Sequence, residues 1–170
     1  GSPYVVPETG EIYWCMRDSV FKRGTGVNDK PEMIGSIPGD ITQGRNVGRV
    51  ATHLTVSADG REFFVDAQVG LQYVFGSMEI ATGNYEHWYT FNRHYNHAQF
   101  SPTDPDLVEF SQEFHFDQLT GLTHRITDRM WIMRRGEEPR PVMKEPLVAT
   151  HEWWDKDGEH VWYIEPAGAS

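Results

Sequence analysis

The chain has 170 residues, of which 38% are hydrophobic and 13% aromatic, enough for a sizeable core and too many for a disordered chain. Asp and Glu outnumber Lys and Arg by 25 to 15, giving a net charge of −10. That balance argues against non-specific binding to nucleic acid or to an anionic membrane, both of which need clustered cations. An anionic substrate remains compatible wherever arginine or a metal reverses the local sign.

No apolar run approaches the ~20 residues of a membrane-spanning helix. Cys15 is the single cysteine, so neither an intrachain disulfide nor a cysteine-based zinc site can form. This usage points to a reducing, cytoplasmic setting and leaves a periplasmic or secreted one open. Gly1-Ser2 reads as an expression remnant, with residues 3–170 as one domain, and no signal peptide follows it.

In chain order, short runs rich in aromatic and β-branched residues predict strands: Ile12–Met16, Glu62–Val65, Leu71–Phe75, Leu107–Phe110, Arg129–Met133 and His160–Ile164. Gly, Pro, Asn and Asp bound them, and no window holds a sustained helical period. The fold class expected is all-β.

Three segments repeat. His53–Gly60, His97–Pro105 and His151–Gly158 each carry a His, then a Ser or Asp four residues on, then an Asp followed by Gly or Pro, and then a strand. The histidines are 44 and 54 residues apart, close to the ~40–50 residues of a propeller blade. The pattern predicts a β-propeller with repeats starting near His53, His97 and His151, the Asp-Gly or Asp-Pro turn joining the first strand of each blade to the second. Thr9-Gly10-Glu11 reads as the outer part of an earlier blade, and Arg134-Arg135-Gly136-Glu137 as another outer turn. A closed sandwich or barrel with chance similarity among its turns is the alternative. Because a ring needs about four to eight blades, the repeats suggest a partial propeller. Ending after the inner hairpin at Ile164-Glu165-Pro166, it would leave sheet edges able to self-associate.

Residues at one register of successive blades lie on a ring around the central channel, so His53, His97 and His151 are expected to converge near one of its mouths. Converging imidazoles suit a metal site, a general base or an anion site, or else serve only to cap turns and hold neighbouring blades. Gln99 and Glu152 add polar side chains beside two of them. Arg129, directly after Asp128, reads either as that residue's partner or as a site arginine. The stretches Tyr85–Tyr89 and Asn92–His97, dense in aromatic and imidazole rings, either stack on sugar rings or are ordinary strand residues. No Walker loop, nucleophile elbow or H-E-x-x-H motif occurs.

The string His97–Val108, then Asp128-Arg129-Met130-Trp131-Ile132, then Thr150-His151-Glu152-Trp153-Trp154 with Asp157-Gly158, resembles the oligogalacturonate lyases in order and approximate spacing from about Arg49 to Ile164. The resemblance implies about three to four blades' worth of a seven-bladed propeller and cleavage of short oligogalacturonides in pectin breakdown by β-elimination, assisted by a manganese-type divalent cation. It carries the Brønsted base onto His151 and the catalytic arginine onto Arg129, and makes His53, His97 and Gln99 substrate-side residues. The family's metal ligands, a Ser-His and a Gln-x-x-His-x-His cluster, find no match, so no metal ligand is assigned here and the chain alone is expected to be inactive. The stretch from Gln112 to Asp128 also departs from the family, with Ser111-Gln112-Glu113-Phe114-His115-Phe116 in place of a His-Glu-Gly-like turn. A non-catalytic propeller binding carbohydrate or protein is the competing reading, since fold does not fix function.

Overall fold

The computed structural model describes residues 1–117, 119–124, 126–143 and 149–165. Pro166 and the residues after it, which the chain-end reading and the expected domain include, lie outside the described part. Strands β1 (Tyr4–Val5), β2 (Ile12–Met16), β3 (Ser19–Arg23) and β4 (Glu32–Ser36) form a first antiparallel sheet in chain order. A single helical turn, α1 (Gly39–Thr42), leads to β5 (Val47–Gly48), β6 (Glu62–Val69), β7 (Gln72–Glu79) and β8 (Tyr85–Phe91), a second sheet of the same order. A third sheet holds β9 (His94–Phe100), β10 (Leu107–Phe116), β12 (Met130–Arg134) and β13 (Arg140–Pro141), while β11 (Thr123–His124) pairs with the far end of β10. Last come β14 (Thr150–Trp154) and β15 (Val161–Ile164).

The sheets stack face to face because β6 and β7 are apolar on both sides. Along β6, Phe63, Val65, Ala67 and Val69 face the first sheet, where they join Tyr13, Val20 and Ile37. Phe64 points the other way, as the two-residue period of a strand requires, and packs with Phe75, Phe91, Phe100 and Phe110 against the third sheet. Rings in this layer meet mostly edge to face, Phe64 on Phe75 at 5.6 Å and Phe75 on Phe110 at 5.1 Å, the arrangement favoured by the ring quadrupole. Gly35 of β4 and Gly83 in the β7–β8 turn bring two backbones so close that a Cβ on either would collide with the other chain segment.

Each repeated Asp-Gly or Asp-Pro turn closes the hairpin between the first and second strands of a sheet. The closing bonds run from the Ser57 amide to the Glu62 carbonyl, from Ser101 to Leu107 and from Asp155 to His160. Thr9-Gly10-Glu11 occupies the same place in the first sheet, where the Val6 amide bonds the Glu11 carbonyl. It is therefore an inner turn, not the outer one the sequence suggested; β1 is so short that no strand pattern preceded the turn. Arg134–Glu137 does turn outward, between β12 and β13. There Arg135 pairs with Glu62 and Glu86 of the second sheet and lies 4.5 Å above the Trp88 ring, tying two sheets together.

Candidate functional site

Two of the three repeated histidines share an unusual backbone. On β9, Asn96 pairs with Ser111 and Gln99 with Glu109, so His97 and Ala98 both face Phe110. On β14, Thr150 pairs with Ile164 and Trp153 with Trp162, so His151 and Glu152 both face Tyr163. The first residue of each bulge is left-handed, with φ 58° at His97 and 51° at His151. This conformation costs a non-glycine residue about 1–2 kcal/mol, and a bulge of this kind normally starts with glycine. His53 breaks the pattern. In its blade the left-handed residues are Arg49 and Ala51, at φ 48° and 43°, and the segment between the Gly48–Gln68 and Val56–Phe63 pairs holds two more unmatched residues than its counterparts on β9 and β14.

The bulges bring a charged network together at the ends of β9, β10 and β14. Glu152, its side chain almost sealed from solvent, receives His97 Nδ1 on Oε1 at 3.1 Å and Arg129 Nε on Oε2 at 3.2 Å. Glu113 sits across from it, with Oε1 2.7 Å from Arg129 Nη1 and 3.9 Å from His97 Nε2. An imidazole and a guanidinium thus alternate with two carboxylates. Burial pushes the Glu152 carboxyl up, but the bond to His97, the neighbouring Ser111 hydroxyl and the Arg129 charge outweigh it and hold the pKa at about 2. The same Glu152 bond raises His97. The His53 ring packs edge-on against His97 at 4.9 Å and is lowered, first by burial and then by the neighbouring imidazole.

Gln99 extends the network inward. Its amide nitrogen donates to Glu109 Oε1 at 2.8 Å and to the Glu152 carbonyl at 3.1 Å. Glu109 is fully buried, and burial followed by the nearby Glu152 charge drives its pKa strongly upward, favouring the neutral acid. In the second sheet the buried Asp66 accepts bonds from the Thr52 amide and hydroxyl, and burial raises it to about 6.

The expected site residues therefore separate. His53 and His97 touch, and His97 and Arg129 meet through Glu152 and Glu113. Gln99 holds its amide on Glu109 and the β14 backbone, which makes it a positioning residue for the network. Arg129 pairs with Glu113 and Glu152 and not with Asp128; its Nη2 alone carries no partner among the described residues. His151 is exposed, adjoins Glu152 in the bulge and makes no hydrogen bond among the described residues. Glu113 and Glu109 escaped the sequence reading. The one signal for Glu113 was that Ser111–Phe116 departs from the resembled family, and there β10 runs on to form an extra hairpin with β11.

A divalent cation does not fit this centre. Both Glu152 oxygens are taken by His97 and Arg129, and the Arg129 guanidinium, 2.7 Å from Glu113, repels a second cation. Among the described residues, the His, Asp and Glu ligand atoms that lie close together belong to Asp157, Glu159 and His160, exposed in the β14–β15 turn.

No protein-family model matches the chain, and no curated protein matches it. Solved structures do. An oligogalacturonate lyase in complex with manganese superposes with a TM-score of 0.73 at 15% identity, over 99% of this chain and 47% of that one. The oligogalacturonate lyase of Vibrio parahaemolyticus gives 0.72 at 15%, over 95% and 45%. TolB from Acinetobacter baumannii gives 0.59 at 15%, over 100% and 38%. The fold is a β-propeller. The chain spans about half the length of the lyases it resembles.

Proposed function

We propose that this propeller segment carries the proton-abstracting part of a uronate β-elimination site, acting on short oligogalacturonides. His151 is the base and Arg129 the charge stabiliser. The observation that carries the reading is the left-handed bulge at His151, which exposes an imidazole with no competing bond next to the Glu152 carboxylate that holds Arg129. Strain of this kind persists only where the surroundings enforce it.

In the reaction, neutral His151 accepts the C5 proton of a uronosyl ring. The electron pair forms the C4–C5 double bond while the C4–O bond breaks, and the leaving oxygen takes a proton. Negative charge building on the ring carboxylate is met by Arg129, whose Nη2 is its uncommitted donor; oriented charge of this sort usually makes the largest contribution to such a reaction. The complete enzyme would use a manganese-type divalent cation held by residues outside this chain.

A second reading has its own observation: Arg129 lies between two carboxylates, as in a structural clamp, which suits a propeller that binds carbohydrate without cleaving it. The variants His151→Ala and Arg129→Lys decide between the two in a form of the protein extended to a full ring of blades. The lyase reading predicts a rate loss of about 10²–10⁴ for His151→Ala. It predicts a large loss for Arg129→Lys as well, because an ammonium cannot serve both carboxylates and substrate as a planar fork does. Unchanged elimination by His151→Ala would remove the base assignment, and binding without elimination in the parent protein would favour the clamp.

A further inference from the structure

One residue along β10 from Glu113, Phe114 opens onto a separate cleft of about 230 Å3 between the second and third blades, lined among others by Arg49, Tyr73, Arg93, His94 and Phe116. No carboxylate lines it, in a chain with net charge −10. Arg93 is exposed and makes no ion pair among the described residues. Arg49, on its left-handed backbone, donates from Nη1 to His94 Nε2 at 3.1 Å, and Asn96 Nδ2 approaches the same nitrogen at 3.3 Å. Both contacts make Nε2 the acceptor and put the ring hydrogen on Nδ1.

His94 is only 3% exposed, and its Nδ1 has no hydrogen-bond partner. The ring stacks on Tyr73 at 4.6 Å and meets the edge of Phe114 at 4.5 Å. Burial, then the charge of Arg49, lowers its pKa to about 4 and keeps it neutral at physiological pH. An unmet buried donor is costly, and its residue is among those lining a cleft whose charged side chains, Arg49 and Arg93, are both cationic. Phe114 and Phe116 leave 38% and 50% of their surface to solvent at the same place. The cleft thus combines an aromatic wall with arginine.

We propose that this cleft is an anion subsite for the carboxylate-bearing ring of a uronate oligosaccharide. Arg49 and Arg93 face the carboxylate, and Phe114 and Phe116 face the C–H surface of the ring. Arginine is suited to a planar carboxylate, and an aromatic face covers a sugar ring at little entropic cost. The preference for an anion rests on the cleft alone; the choice of a uronate over other carboxylates rests on the reading in the preceding section. The cleft would hold a sugar neighbouring the one at Arg129.

Binding can be read without turnover, so the test is independent of whether elimination occurs. The 170-residue chain is titrated by calorimetry and by NMR shift mapping with galacturonate, with galactose as the ring without the carboxylate, and with benzoate as the carboxylate without the sugar. The expected result is galacturonate binding at least about tenfold tighter than galactose, with shifts at His94 and Phe116, and loss of that preference in Arg93→Gln. Arg93 is exposed, so this variant keeps the fold, and Phe116→Ala should weaken galacturonate while sparing the anion preference. Equal binding of galactose and galacturonate, no binding, or an unchanged Arg93→Gln would overturn the subsite. Benzoate binding as tightly as galacturonate would overturn the uronate assignment.

Discussion

Glu152 is the residue on which the site's charges turn. It is nearly sealed from solvent and holds both His97 and Arg129, so removing its charge leaves the Arg129 guanidinium and the His97 imidazole without their shared partner. Breaking a buried pair in this way costs about 3 kcal/mol or more. Its folded pKa of about 2 lies below the ordinary value of 4.5. The stability it contributes is therefore present above the unfolded value and is lost as pH falls toward the folded one. Glu152→Gln is expected to lower unfolding free energy by about 3 kcal/mol at pH 7, and the gap between the two proteins should shrink by about half by pH 3. Denaturant titrations at pH 7, 5 and 3 measure it; a gap that stays constant with pH would mean the carboxylate acts through packing alone. The opposing slope from Asp66, whose raised value weakens stability as pH rises, is common to both proteins and cancels in the difference; Glu109 owes part of its upward shift to the Glu152 charge, so its slope is smaller in the variant.

At the scale of elements, the blades are held by aromatic layers and by hairpins under different degrees of strain. Phe64 is fully buried between the second and third blades, so Phe64→Ala should cost about 3–5 kcal/mol. A loss under 1 kcal/mol by thermal or chemical denaturation would mean that the blades do not share this layer. The β2–β3 hairpin turns through Arg17, exposed and left-handed at φ 57° with no hydrogen bond among the described residues. Arg17→Gly should therefore stabilise by about 0.5–1 kcal/mol, the relief of strain less the added chain entropy; destabilisation would show that the arginine makes an unrecognised contact.

These elements differ in how far they could be read in advance. Ile12–Met16 was legible to the residue, since its ends are marked by Gly10 and Asp18, and the Asp-Gly turns located the hairpins because the turn chemistry is local. The bulges at His97 and His151 were not legible as such. A left-handed histidine has no local signature, and the strain is enforced by ladder bonds from a partner strand 9 or more residues away in sequence. Residues at one register of the repeat pointed to His53, His97 and His151 together, yet only two share the backbone. The commitments of Gln99 and Arg129 also depended on carboxylates brought in from β10 and β14, and no spacing rule reveals those. The one-turn helix at Gly39–Thr42 is too short to show a period.

For the whole molecule, the described residues build three larger sheets and a two-stranded one along a propeller, and the first and last of these leave apolar side chains exposed. Val5, Met16 and Met33 of the first sheet and Trp153, Trp162 and Ile164 of the last are all exposed, apolar surface of the kind that marks a contact face. The catalytic reading places the base and the arginine on these sheets and the cation outside this chain. The measurement that tests it most directly is mass spectrometry of digalacturonate incubated with manganese and a form of the protein extended to a full ring, with the 170-residue chain and the His151→Ala variant alongside. The account predicts a fragment one water lighter than hydrolysis leaves, from the extended protein only, and its loss in His151→Ala. The same fragment from the 170 residues alone, or its persistence in His151→Ala, would contradict it.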